Sequence, residues 1–493
     1  MKISDEHIIQ LYANWGKKNS QQRGMPLYQH IYSFLKTAIL AHELPNQSEL
    51  PATRKLAESL VISRSTAVKV YELLRLEGLL FSKTGAGHFV HYQLLNELKK
   101  EAPKASNLPE ISETGRSFYS NVKLVNSIDD KNVAFRPGIP PLDIFPISQW
   151  KKHSNKYWQF TKASELSYYS ETGVEALKKS IASYLLLTSN VKCDYRQIVI
   201  VSGSLQSLFL IGSLLINPGD GVYMENPTFP NVHSVYKGLR GDVVGVDLDQ
   251  DGINLGTVVN DKRTHMKLMH VTPSCQYPMG MPMSLKRKQE VISFAKKKGL
   301  YIIENDYEHE INNFKSHTTP LFTLDNDQRT FYLGTFNRSL HPSIRIGFMV
   351  VPMQLIDPMR ALIRHSHLFV SPSIQFMLNS FIDTKILHKH LAKVQEVAQE
   401  RYALFSEILK NKAQNVLTEV KSEVPSLHIT ALLNKGASDS LVVEALSKKG
   451  IITHSLSKCY VSGPKHQGLI MGHSCIRSQF ITPKLEKLID VIS

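Results

Sequence analysis

From residue 26 onward the apolar side chains recur three and four positions apart. Leu27, Ile31, Phe34, Leu35, Ala38 and Ile39 make one stripe, which predicts a helix broken by Pro45 and Asn46. Thr53 can cap a short second helix, Arg54 to Leu60, with Leu56, Ala57 and Leu60 facing inward. Ser63 caps a third that runs to Glu77 and stops at Gly78, its inner stripe being Ala67, Val70, Tyr71 and Leu74. The period then changes, and Leu79 to Val90 reads as two short strands around a glycine tip. Residues 1–24 read as a polar lead-in, and 92–132 lose periodicity and read as a linker. From Ala134 apolar runs alternate with helical stripes. Strands are predicted at Ile198–Val201, Gly221–Glu225, Met266–Val271, Tyr301–Glu304, Phe331–Gly334 and Ile346–Val351. That alternation implies an α/β domain, 133–493, whose mostly parallel central sheet is covered by helices on both faces.

Three helices followed by a hairpin, within 25–91, fit a winged helix-turn-helix whose third helix enters the major groove of double-stranded DNA. That helix presents Arg64, Ser65, Thr66 and Lys69 on the outer side of its first two turns. Arg64 is the first candidate for a base edge, and Arg54, Lys55, Lys69 and Lys83 are candidates for phosphates. Ser63, Thr84, Gly87 and His88 complete the expected DNA face. The segment resembles the GntR-type winged helix through its Leu50-Pro51-Ala52 approach, its Ser63-Arg64-Ser65-Thr66 run and its Glu77-Gly78-Leu79-Leu80 entry into the hairpin.

Composition narrows the class further. A chain of 493 residues with 42% hydrophobic and 20% charged residues can bury a large core. Its longest apolar run, Leu208 to Ile216, is far short of the ~20 residues a membrane span requires. With no signal-peptide layout at Met1-Lys2-Ile3-Ser4, a cytoplasmic location is expected. Cys193, Cys275, Cys459 and Cys475 lack metal or redox spacing, so reduced thiols and no metal are expected. The net charge of +15 permits a polyanionic partner but does not locate it, since residues 1–100 hold 13 Lys+Arg against 8 Asp+Glu.

In the larger domain, Ser202-Gly203-Ser204 follows a strand and opens a helix at Leu205, where free backbone N–H groups and the helix dipole can meet a phosphate. Phe229 can face a flat ring. Gln276 lies in Thr272-Pro273-Ser274-Cys275-Gln276-Tyr277-Pro278, and Asn305 and Tyr307 lie in Glu304-Asn305-Asp306-Tyr307. The stretch from Tyr332 to Gly347 ends a strand in polar groups and carries Arg338 and, seven residues on, Arg345. These blocks, with Phe135-Arg136-Pro137-Gly138 and Tyr169-Ser170-Glu171-Thr172-Gly173, resemble MocR-type regulators of the GntR family over nearly all of 134–493. The resemblance implies a fold-type-I aminotransferase domain, with a large lobe at about 133–380 and a small α+β lobe at about 381–493. It also implies a homodimer, a linker long enough to set the DNA-binding domain on the other subunit, and pyridoxal phosphate as a possible cofactor.

Four positions depart from that pattern. Arg338 stands where the family carries the Schiff-base lysine, and a guanidinium that stays protonated cannot form the aldimine. Asn305 replaces the aspartate that charges the pyridine nitrogen, and Ile470 replaces the arginine that grips the substrate carboxylate. Cys275 also takes a histidine's place. The expectation is a DNA-binding transcription regulator and not an enzyme. Its aminotransferase-like domain would sense an anionic or phosphorylated effector, or serve only for dimerisation. The effector site expected is Gly203, Ser204, Leu205, Phe229, Gln276, Asn305, Tyr307, Arg338 and Arg345. The alternative is a working aminotransferase with a fused DNA-binding domain.

Overall fold

The predicted stripes of the first ninety residues fold on one another. The computed structural model describes residues 2–18, 25–83, 87–91, 110–125, 134–308, 311, 319–434 and 436–493, and divides into two units, Met1–Glu110 and Ile111–Ser493. In the first, α1 (Asp5–Lys18), α2 (Leu27–Leu40), α3 (Thr53–Ser59) and α4 (Arg64–Leu76) surround a core of Ile31, Phe34, Leu35, Leu56, Val70 and Leu74. A small antiparallel sheet closes it. Strand β3 (Gly87–Val90) lies between β1 (Glu49–Leu50) and β2 (Leu80–Lys83). Ser63 caps α4 as expected, its hydroxyl accepting from the Thr66 N–H at 3.1 Å.

The supposed lead-in contains a helix. In α1, Ile8 and Trp15 are buried, the Trp15 ring meets His30 edge-on at 4.8 Å, and Tyr12 meets Phe34 at 5.1 Å. Ile3 is buried with them. Apolar burial outweighs the polar composition of the segment, since each large side chain taken fully from water contributes about 1.5–3 kcal/mol.

The turn between α3 and α4 holds Val61 at φ +52°, and its side chain is 91% exposed. A β-branched residue in the left-handed region costs on the order of 1–2 kcal/mol, and this one buries nothing in return. Val61→Asn is therefore expected to raise the stability of the first unit by about 1 kcal/mol in thermal unfolding, since Asn tolerates that backbone without glycine's entropy. A loss of stability would show that the valine is held by something else.

The second unit is built on an eight-stranded mixed sheet of order β4-β11-β10-β9-β8-β5-β6-β7. Strands β5 (Gly221–Asn226), β6 (Asp242–Asp249), β8 (Met266–Val271), β9 (Tyr301–Asn305) and β10 (Thr330–Thr335) are mutually parallel. Strand β11 (Gly347–Val350) runs antiparallel between β10 and β4 (Ile198–Val201), and β7 (Gly252–Ile253) is an antiparallel edge. Every predicted strand is present. β6 and β7 were not predicted.

Beyond the helix Ile386–Lys412 a smaller layer follows, a four-stranded antiparallel sheet β12-β13-β15-β14. It comprises β12 (Leu417–Val420), β13 (His428–Leu433), β14 (His454–Ser455) and β15 (Gly468–Gly472). Part of the expected linker belongs to this unit. Helix Glu113–Asn121 packs on helix Pro230–Gly238, where a Cβ on Gly238 would fall 2.2 Å from the Phe118 ring, and Ser117 donates to the Lys237 carbonyl at 2.6 Å. The linker stretches 92–109 and 126–133 lie outside the described residues. Among the described residues no helix is long and apolar enough to cross a membrane, and no cluster of side chains could hold a metal ion.

Candidate functional site

In the first unit, α3 and α4 set out the expected DNA face. Arg64, at the first position of α4, is exposed and makes no hydrogen bond or ion pair with any described residue. Ser63, Ser65 and Thr66 are tied together, the Ser63 hydroxyl lying 2.9 Å from that of Ser65 and 2.8 Å from that of Thr66. They shape the helix start and leave Arg64 as the group that reaches outward. Arg54 pairs with Glu58 at 3.4 Å and Lys55 with Asp5 at 3.9 Å, both exposed contacts that a phosphate can displace. The Lys69 ammonium lies 3.7 Å from the centre of the Tyr28 ring. In the wing, Lys83 lies 5.8 Å from the ring centres of both Phe81 and Phe89. Gly87 has φ +107°, and His88 is turned inward, bonded to Ser82 at 2.9 Å and edge-on to Tyr71. His88 is thus a brace between β2 and β3. Thr84 lies outside the described residues.

In the second unit, the remaining expected residues follow the ends of β4, β5, β8, β9 and β10, at the carboxyl edge of the sheet where open α/β folds place ligands. Gly203, at φ +132°, leads β4 into helix Ser204–Leu215. A Cβ here would fall 2.7 Å from Asn337 Nδ2, so the glycine makes room for that amide, while Arg345 Nη2, at 3.7 Å, would be in ordinary contact. The first N–H groups of the helix, those of Ser204 and Leu205, have no helical acceptor and face the same corner. Arg345 is exposed and bonds to no described residue. The Leu205 side chain itself is 41% exposed.

Arg338, at the end of β10, takes a different partner. Its Nη1 donates to Glu308 Oε1 at 2.8 Å, and the Glu308 side chain is fully buried. Burial pushes that carboxyl up, but His428, with Nδ1 at 3.9 Å, and the Arg338 guanidinium outweigh it and hold it at about 2. The Leu427 N–H donates to the other oxygen at 3.3 Å. Gly138, at φ +73°, makes room for the long side chain, since a Cβ there would sit 2.5 Å from Arg338 Nη1.

Around this pair the site is apolar and full. Phe229 stacks on Tyr277 with centroids 3.5 Å apart and planes 8° from parallel, and meets Tyr307 edge-on at 4.9 Å. The Arg338 guanidinium lies 4.6 Å from the centre of the Tyr307 ring and 5.3 Å from that of Phe229. Ile470, opposite Thr430 and His454 in the small sheet, is buried among Tyr277, Tyr307, Leu456, Cys459 and Tyr460. The Tyr307 hydroxyl points to Cys275 Sγ at 3.7 Å. Gln276 is spent on its own turn, its amide donating to the carbonyls of Pro227 and Tyr277 at 2.7 and 2.6 Å. Asn305 Nδ2 meets Nε2 of His270, a ring that burial pushes down to about 3 and keeps neutral, while Asn305 Oδ1 is buried without a partner among the described residues.

Two residues in this picture were not among the expected ones. Glu308 directly follows Tyr307, and a carboxylate thirty positions from Arg338 was a possible ion partner. Tyr277 sits inside the quoted loop, but its stacking on Phe229 has no sequence signal.

Pyridoxal phosphate fits these residues at one end only. Gly203, the helix N-terminus and Arg345 suit a phosphate, and Asn305 Oδ1 suits an N–H donor. At the aldehyde end an ion-paired guanidinium stands in place of an amine, and Tyr277 covers a face of the ring on which a flat ligand would stack.

The family model of aminotransferase class I and II matches residues 136–492, and that of the bacterial regulatory proteins of the gntR family matches 27–90. A probable rhizopine catabolism regulatory protein, MocR of Rhizobium meliloti, is 28% identical over 92% of this chain and 91% of its own length. The uncharacterized HTH-type transcriptional regulator YhdI of Bacillus subtilis strain 168 is 28% identical over 94% and 95%. Among solved structures, an archaeal alanine:glyoxylate aminotransferase superposes with a TM-score of 0.68 at 20% identity, covering 78% of this chain and 96% of that one. The kynurenine aminotransferase of Pyrococcus horikoshii gives 0.67 at 22%, covering 81% and 98%. At those identities the likeness is one of fold. The chain belongs to the aminotransferase class I and II family, joined to a GntR-type DNA-binding domain as a transcription regulator of MocR type.

Proposed function

We propose that this regulator acts as a homodimer on DNA, and that its aminotransferase-like domain does not transaminate but senses an anionic or phosphorylated small molecule at Gly203, Ser204 and Arg345. The observation that carries this reading is the buried Arg338–Glu308 pair at the position of the reactive lysine. A cation that is permanently protonated and already paired supplies no nucleophile. Asn305 and Ile470 agree with it, one lacking the negative charge and the other the cation that catalysis would need. The phosphate end keeps its features, and Arg345 bonds to no described residue. Exposed apolar side chains gathered along 158–168, Trp158, Phe160, Leu166 and Tyr168, support a subunit interface. An effector shifts DNA affinity only if it binds the DNA-competent and incompetent arrangements with different strength.

Two measurements test the reading. Protein mixed with pyridoxal phosphate is expected to show no aldimine band and no borohydride-fixed adduct; stoichiometric trapping on a lysine would overturn it in favour of a working aminotransferase. Phosphate-bearing ligands are expected to raise the unfolding midpoint, by about 2.7 kcal/mol of stability at a hundredfold excess over Kd. Arg345→Ala should abolish the effect, whereas a domain that only dimerises would show none in either protein.

A further inference from the structure

A cavity of about 490 Å³ opens in the large unit between helix Ile386–Lys412 and the segment Ser422–Ser426 that leads into β13. It lies apart from the Gly203–Arg345 corner, and its volume is in the range of small-molecule pockets, about 300–1,000 Å³.

Its deepest polar group is His473, which is 1% exposed. Nε2 lies 2.9 Å from the Ser426 carbonyl, so that nitrogen carries the proton. Nδ1 is then a lone-pair acceptor, buried and with no hydrogen-bond partner among the described residues. Burial pushes the ring down to about 4, which keeps it neutral and the lone pair available near pH 7. A buried acceptor left unsatisfied is costly unless something donates to it. No described residue supplies such a donor. The Tyr402 hydroxyl, on the same wall, is already given to Glu419 at 3.1 Å.

The rest of the lining sets the charge of the missing donor. Glu396 and Glu423 both line the cavity from exposed positions, and the described lining residues include neither lysine nor arginine. Glu396 is ion-paired to Lys393 on its outer side, whereas Glu423 makes no ion pair with any described residue. Acidic groups toward solvent and a neutral acceptor at the base repel anions and favour a cation that carries N–H groups. Val424, Pro425 and Ala398 give it an apolar stem to lie against.

We infer that this cavity is a binding site for a small aliphatic amine, whose ammonium donates to His473 Nδ1 or to the carboxylate of Glu423. His428 lines the same cavity and stands 3.9 Å from Glu308, so such a ligand would lie one side chain away from the Arg338–Glu308 pair.

Full-length protein titrated with putrescine by calorimetry and thermal unfolding tests this, with butanediol and succinate as probes of the same carbon length. Putrescine is expected to bind and raise the midpoint, butanediol to bind at least tenfold more weakly, and succinate to leave these residues untouched. Glu423→Gln should weaken putrescine roughly tenfold, as losing a charge-assisted hydrogen bond does. His473→Phe should do the same. Because His473 also braces Ser426, Gln399→Trp provides a second variant, filling the cavity from an exposed helix position, and should abolish binding. No putrescine binding to the wild type, binding unchanged in Gln399→Trp and Glu423→Gln, or equal affinity for butanediol would each overturn the proposal.

Discussion

Replacing Glu308 with alanine is expected to cost the large unit about 3–5 kcal/mol, because it leaves the Arg338 guanidinium largely buried without its counter-charge. The carboxylate is fully buried and the guanidinium only 19% exposed, so water cannot take over the lost partner. The test is denaturant unfolding followed by a probe in the large unit, compared with Glu308→Leu combined with Arg338→Met. The double variant is expected to recover most of the loss, because the pair's attraction has to offset the cost of desolvating both ions. If Glu308→Ala proved near neutral, the pair would not be closed to solvent. The acid response follows from the same geometry. The carboxyl is held at about 2 in the folded protein against an ordinary value of 4.5. Its contribution is therefore present above pH 4.5 and lost as pH falls toward 2. Glu308→Gln should shrink that acid limb.

Arg64→Ala is expected to weaken binding to the cognate operator by about 1–3 kcal/mol and to relax preference at one base pair, the signature of losing a contact to a base edge. Its side chain leaves the first turn of α4 with no partner among the described residues, while the three hydroxyls beside it are tied to one another. Lys69→Ala should behave differently. It should weaken all sequences alike and lower the slope of log K against log salt by about one unit, as losing a phosphate contact does. Binding titrations at several salt concentrations, on operator and on scrambled DNA, separate the two. Equal losses on both DNAs for Arg64→Ala would place that residue on the backbone instead.

The helical stripes and the sheet strands were legible because burial imposes a period on the chain, and Val70, Tyr71 and Leu74 or Ile198 to Val201 could lie only one way. Helix α1 was equally periodic, with Ile8, Leu11, Tyr12 and Trp15 at helical spacing, but its few apolar residues were outnumbered by polar ones. The segment around Phe118 was read as linker for a similar reason, since one aromatic ring filling a space left by Gly238 leaves no period. Around Arg338 the substitutions themselves could be read, because chemistry attaches to residue type. What each substituted side chain touches could not. The Arg338–Glu308 pair and the Phe229–Tyr277 stack join separate strand exits, and such contacts exist only once the sheet has formed.

The opening helix has a consequence for where the DNA-binding unit begins. Ile3, Ile8 and Trp15 help close the hydrophobic interior beneath α2 and α3. Autonomy of folding therefore belongs to the span from the first strand contact at Lys2 to Val90, and not to the winged-helix homology region alone. A gene fragment trimmed to that homology would encode a reading head without its floor.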